Sequence, residues 1–164
     1  MSVVKLFIRP LLAVLFLATG AATAAEPEKT AYPAEPVDVL KAFLTAFHAF
    51  DYETCHSFFT EDAKILIVRR QQGTEFERHF FDVHPWLDEV GQSTKGIENF
   101  HMVFHESVAY ETPLGVTVTL RATGHGLTGR GEFTNQETSS ANLIEIDGRW
   151  RIVQYNTFED FRWD

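Results

Sequence analysis

Asp147-Gly148 is the feature that most restricts how this chain can fold. An Asp-Gly pair between two long β-type runs is a strong two-residue hairpin signal, because both residues tolerate the positive φ that such a turn needs. The run before it, Glu132 to Ile146, and the run after it, Arg149 to Phe158, are therefore expected to pair antiparallel. Upstream, Val116, Val118, Leu120 and Ala122 alternate with Thr117, Thr119 and Arg121, a strand with one buried face and Arg121 pointing to solvent. Gly124, Gly126, Gly129 and Gly131 punctuate what reads as a flexible or bulged turn region.

The first half has a different period. Leu40, Phe43, Leu44, Phe47 and Phe50 recur at three and four residues, a helix that Asp38 could cap, and Asp51-Tyr52 breaks it. A short second helix carries Cys55, Phe58 and Phe59. Ile65, Leu66, Ile67 and Val68 form a strand expected to be covered on both faces, ending at Arg69-Arg70. Gln71-Gln72-Gly73 turns into a second strand through Phe76, Arg78 and Phe80. His84-Pro85-Trp86 reads as a loop, and a third helix is expected from Lys95-Gly96-Ile97, with Ile97, Phe100, Phe104 and Val108 on its apolar side. Helices first, antiparallel strands later and a helix between them make an α+β domain.

Lys5 and Arg9, the apolar run Leu11 to Ala18 and the small residues Ala22-Thr23-Ala24 describe a secretory signal peptide over 1–24, too short to span a bilayer. Residues 25–36, with three prolines, read as a linker, and 37–164 as the folded domain. Removing 1–24 takes the formal charge from −9 to −11. That acidity argues against nucleic acid and against anionic membranes. No Cys stands near the cleavage point, so no membrane anchor is expected, and the location is periplasmic or secreted. Cys55 is the one cysteine, so no internal disulfide is available, and it reads as a buried small hydrophobe.

Phe58-Phe59-Thr60-Glu61-Asp62-Ala63 entering a strand, Gly96-Ile97, and Asp147-Gly148-Arg149-Trp150-Arg151-Ile152-Val153 resemble the nuclear transport factor 2-like superfamily, within it the SnoaL-like and ketosteroid-isomerase-like branch. The resemblance covers about residues 37 to 160. It implies a cystatin-like cone: a bent antiparallel sheet wrapped against three helices, with a cavity between them that takes a small molecule. It also implies frequent homodimers through the sheet. Ketosteroid isomerases use a carboxylate base with a Tyr and a protonated Asp as oxyanion donors. The base position falls at Ile67 and the Tyr position at Phe43, so that chemistry is not expected here.

The site residues follow from this frame. Phe43, Phe47, Phe59, Phe100, Phe104 and Trp150 would supply apolar walls. Read with a period of two, Trp150, Ile152, Gln154, Asn156 and Phe158 share a face, so Gln154 and Asn156 are expected inside as hydrogen-bonding groups for a ligand, with Tyr155 among them if the register differs. On the strand before, Glu137, Ser139, Ala141 and Leu143 share one face and Gln136, Thr138, Ser140, Asn142 and Ile144 the other, and this polar strand is either an exposed edge or the lining of a polar cavity mouth. The histidines divide into pocket candidates, His48, His101 and His105, and surface candidates, His79 and His125; His84 and Trp86 could close a cavity mouth. His101 and His105 have helical spacing but no third ligand in sequence, so no metal is expected, and no cofactor fingerprint is present. Three functions remain open: a binding protein for a small, largely apolar molecule; a cofactor-independent isomerase, cyclase or dehydratase with His48, His101 or His105 as base; or a dimeric interaction module.

Overall fold

A computed structural model describes residues 32–93 and 97–164. The signal-peptide reading of 1–24, the linker up to residue 31 and the Lys95-Gly96 helix start lie outside them. The element order is α1 Pro36–His48, α2 Tyr52–His56, β1 Phe59–Gln71, β2 Glu77–Asp82, α3 Val83–Ser93, β3 Glu98–Thr112, β4 Gly115–Thr128, β5 Gly131–Ile146 and β6 Arg149–Trp163. The strands form one sheet in the order β2-β1-β6-β5-β4-β3. All neighbours are antiparallel except β1 and β6, which run parallel, so the sheet is mixed. The expected α+β class with three helices holds. Asp147 (φ 52°) and Gly148 (φ 72°) make the β5–β6 turn.

α1 starts with Pro36, whose missing N–H costs nothing in a first turn, and Asp38 lies within that turn instead of capping it. It ends in a Schellman pattern: Phe50 adopts φ 61°, the Asp51 N–H donates to Ala46 O at 2.9 Å and the Phe50 N–H to Phe47 O at 3.1 Å. Leu40, Phe43 and Leu44 face the sheet and are buried with Ile65, Val118, Leu120, Leu143 and Ile152. α1 crosses β3, β4 and β6, while α3 rests on β1 and β2. The helices thus cover one face of the sheet.

Two sequence expectations fail here. Residues 98–112 form strand β3, not the third helix. A four-residue spacing returns to the same side of a helix and of a strand, so Phe100 and Phe104 fitted both. Met102 breaks the tie, being half-buried between them while His101, Val103 and His105 are exposed. The third helix lies earlier, and the expected loop His84-Pro85-Trp86 is its first turn, where proline is tolerated.

The second failure concerns β6. Asn142 pairs with Gln154, but the next residue of β5, Leu143, pairs with Ile152, so Val153 has no partner of its own. This one-residue bulge reverses every side chain beyond it. Ile152 faces the core, and after the bulge so do Tyr155, Thr157 and Glu159. Gln154 and Asn156 go to the outer face, where the Gln154 amide donates to Asn156 Oδ1 at 3.1 Å and the Asn156 amide to Ser140 Oγ at 3.3 Å.

Candidate functional site

Between the helices and the inner sheet face lies a cavity of about 480 Å³. Its walls are mainly aromatic: Phe47 and Phe50 from α1 and its C-terminal turn, Trp86 from α3, Phe81 from β2, Phe100 from β3 and Phe133 from β5. Two in-strand glycines make this lining possible. A Cβ on Gly124 would stand 2.7 Å from Phe100 Cζ, and one on Gly126 would stand 2.7 Å from Phe133 Cε1. The rings lie directly on the β4 backbone, so Gly124 and Gly126 belong to the wall and not to the turn expected there. At its deep end the cavity borders a recess of about 10 Å³, room for one water, shared by Phe43, His48, Ile67, Glu137, Tyr155, Thr157 and Glu159.

The recess is the polar pole of an otherwise apolar space. Glu137, 3 % exposed, accepts hydrogen bonds on Oε1 from Ser139 Oγ and, at 3.0 Å, from Tyr155 OH. His48 Nε2 stands 3.7 Å from Glu137 Oε2, an ion-pair distance too long for a hydrogen bond, and it is buried without a hydrogen-bond partner. The His48 ring stacks on Phe100 at 4.5 Å between centroids. Burial pushes the Glu137 carboxyl upward, but His48, Ser139 and Tyr155 outweigh it and hold the group below its ordinary value. Burial, then the Glu137 charge, raises the Tyr155 phenol well above its own, so it stays a donor.

Glu159 completes the pole. It borders both spaces and takes a 2.7 Å hydrogen bond from Arg69 Nε. Burial raises its carboxyl above the usual range and the Glu137 charge adds to this, against the opposing pull of Arg69. Asn135, 2 % exposed, also borders the cavity, and its Oδ1 has no hydrogen-bond partner. A neutral imidazole nitrogen backed by a carboxylate can accept a proton, and a carboxyl or phenol beside it can supply one.

The sequence candidates distribute unevenly. Phe47, Phe100 and His48 border the cavity, and Phe43 the recess. Phe59, Phe104 and Trp150 pack in or against the core without bordering either. Gln154 and Asn156 face away, for the reason given by the bulge. His101 and His105 sit on the outer face of β3, where His101 stacks on His125 and His105 hydrogen-bonds Thr123 Oγ1 at 2.7 Å. His79 is exposed, as expected, and also lies at the edge of the cavity. Phe43 and Ile67, the two positions where the resemblance calls for Tyr and a carboxylate, do border the recess and carry no polar group there. The sequence reading gave Glu137 no role beyond a shared strand face with Ser139, and missed Glu159 and Asn135 as site residues. The alternation that grouped Glu137 with Ser139 extends back to Asn135 and was the available signal; Glu159 was hidden by the bulge.

Among the described residues no group of three or more His, Cys, Asp or Glu side chains is placed to hold a metal ion, and no helix is long and apolar enough to cross a membrane.

No protein-family model matches the chain, and no curated protein sequence matches it. Solved structures do. The β subunit of a candidate aromatic-ring-hydroxylating dioxygenase from Novosphingobium aromaticivorans superposes with a TM-score of 0.59 at 13% identity, over 75% of this chain and 85% of that one. A candidate scytalone dehydratase from the same organism gives 0.57 at 9% identity, over 74% and 79%. An NTF2-like protein of unknown function from Shewanella baltica gives 0.51 at 15%, over 75% and 89%. Identities this low speak for fold alone. By its sheet order, its helices on one face and these likenesses, the chain has the nuclear transport factor 2-like fold.

Proposed function

We propose that this chain binds a small, largely apolar, ring-containing molecule in its cone and transfers a proton to or from it through His48, without a cofactor. One observation carries the reading: the His48 imidazole borders an aromatic cavity, and its buried Nε2, without a hydrogen-bond partner, faces a buried carboxyl group 3.7 Å away. Burying Glu137 is costly unless its charge is used or fully paired. Its position behind His48 suits a group that stabilises the imidazolium formed when the base takes a proton. The same fold in a candidate scytalone dehydratase lends support to proton-transfer chemistry, as a likeness of scaffold only.

The test is proton exchange, which needs no knowledge of the final product. Cyclic and aromatic ketones with an acidic α-hydrogen, some bearing a β-hydroxyl, are incubated with the protein in D₂O and followed by proton NMR. Enzyme-dependent loss of the α-hydrogen signal is expected for at least one, and His48→Ala is expected to slow it by about 10²–10⁴-fold. Binding without exchange, or exchange undiminished in His48→Ala, would refute catalysis at His48 and leave the binding protein as the reading.

Two further parts of the proposal concern the whole protein. Residues 1–24 act as a cleaved signal peptide, so the mature chain starts at Ala25 in the periplasm or outside the cell; intact-mass measurement of the exported fraction tests this, and an uncleaved intracellular product overturns it. The outer sheet face exposes Val103, Val108 and Tyr110 along the edge strand β3, apolar side chains on which a second copy of the chain would pack. Sedimentation of wild type against Tyr110→Glu tests the dimer.

A further inference from the structure

We infer that Glu159 is the proton donor of this cavity, paired with His48 as acceptor: of two carboxyls set directly opposite each other across β5 and β6, Glu137 is ionised behind the base and Glu159 carries a proton toward the ligand. This rests on the proposed function and adds a second participating group to it.

The register is the starting point. Glu137 and Glu159 are direct partners in the β5–β6 ladder, and both are buried. Directly opposed residues of a ladder bring their Cβ atoms to about 4.5–5.5 Å, and like charges there repel. Two buried carboxylates so placed cannot both ionise cheaply, so their environments decide which one keeps the proton.

The environments differ clearly. Glu137 is surrounded by donors: Ser139 Oγ and Tyr155 OH bond Oε1 and His48 stands beside Oε2. Glu159 has Arg69 Nε on Oε2, so its proton belongs on Oε1. The charged and titratable groups around Glu159 are Arg69 from β1, Glu137 from β5, His48 from α1 and Tyr155 from β6. With Glu137 ionised, Arg69 cationic, Glu159 protonated and His48 neutral, the pole sums to zero charge. The alternative with the proton moved from Glu159 to His48 also sums to zero. The buried pole therefore stays neutral when one proton passes between acid and base, which is the exchange that an enolisation requires. In that step the His48 imidazole takes the α-proton of a ketone through Nδ1, the nitrogen not facing Glu137. The C–H electron pair becomes the C=C bond, and the carbonyl π pair moves to oxygen, which takes the Glu159 proton. The products are the neutral enol, a protonated His48 and an ionised Glu159. Raised proton affinity at Glu159 and lowered affinity at Glu137 agree with this division of roles.

The proton itself can be read without any substrate. Infrared spectra of the ligand-free mature protein at pH 7 are expected to show a protonated-carboxyl C=O band that shifts in D₂O and is missing from Glu159→Gln. In Glu137→Gln, which removes the opposing charge, the band should vanish at lower pH than in wild type. If Glu159→Gln fails to fold, a wild-type band at pH 7 that moves to lower pH in Glu137→Gln assigns the proton to Glu159, and no wild-type band at pH 7 overturns the inference, because ordinary side-chain carboxyls have lost their protons by about pH 6. No band at pH 7, or a band persisting in folded Glu159→Gln, overturns the inference. Donation is read by α-hydrogen exchange, expected to fall about 10²-fold in Glu159→Gln while ligand affinity stays within a few-fold. Exchange at the wild-type rate in that variant also overturns it. If no compound exchanges even with wild type, the proposed function fails on its own, and the infrared result still decides whether Glu159 holds the proton.

Discussion

Gly124→Ala tests the architecture of the cavity wall with a single methyl group. The new Cβ would lie 2.7 Å from Phe100 Cζ and 3.0 Å from Cε2. Carbon atoms rest at about 3.5–4.0 Å, so the ring must retreat by about 1 Å. It is not free to do so cheaply, since it stacks on His48 at 4.5 Å and on Phe133 at 6.1 Å. Overpacking of this kind costs about 1–3 kcal/mol, and replacing a strand glycine returns about 0.5–1 kcal/mol. The net expectation is about 1–2 kcal/mol of destabilisation, a fall in Tm of about 3–8 °C for a domain of this size. The ring can retreat only into the cavity, where losing about one methylene of apolar contact weakens an apolar ligand by about 0.8 kcal/mol, or about four-fold. Differential scanning fluorimetry and titration with the apolar dye ANS measure both quantities. Gly129→Ala is the control, because nothing lies within 4 Å of its Cβ. A Gly124→Ala protein as stable as Gly129→Ala, with wild-type dye affinity, would mean that Phe100 does not rest on β4 and that the wall is wrongly described.

Two other predictions follow from burial. Phe43→Ala empties the centre of the aromatic cluster, where Phe43 meets Phe59 at 4.8 Å and Tyr155 at 5.1 Å between centroids, and should cost about 3–5 kcal/mol in urea unfolding; a loss below about 1 kcal/mol would contradict the packing. Burial, with Asp51 adding to it, pushes the Cys55 thiol up to about 12, so native protein should resist alkylation at pH 8 and react fully only when unfolded. Because the folded value lies above the unfolded one, stability should be unaffected below about pH 8.5 and should decline from there as pH rises toward 12; a flat alkaline limb in Cys55-intact protein but not in Cys55→Ala would contradict this.

The sequence by itself determined the class of fold, since the helical period of the first helix, the alternation in β4 and the Asp147-Gly148 hairpin are local signals, each satisfied within a few residues. It also grouped Glu137 with Ser139 on one strand face. Tertiary structure alone decided what that face meets. The chain from Phe100 to Phe104 satisfies helix and strand equally, and only pairing with β4 resolves it. Val153 carries no mark of a bulge, yet the bulge sends Gln154 and Asn156 outward and turns Tyr155, Thr157 and Glu159 inward. The site then needs α1 to bring His48 against β5, and the β5–β6 register to set Glu137 opposite Glu159. Residues 48, 137 and 159 have no sequence spacing in common; the shift of one residue in a ladder, fixed by packing across the whole sheet, is what makes them one polar pole.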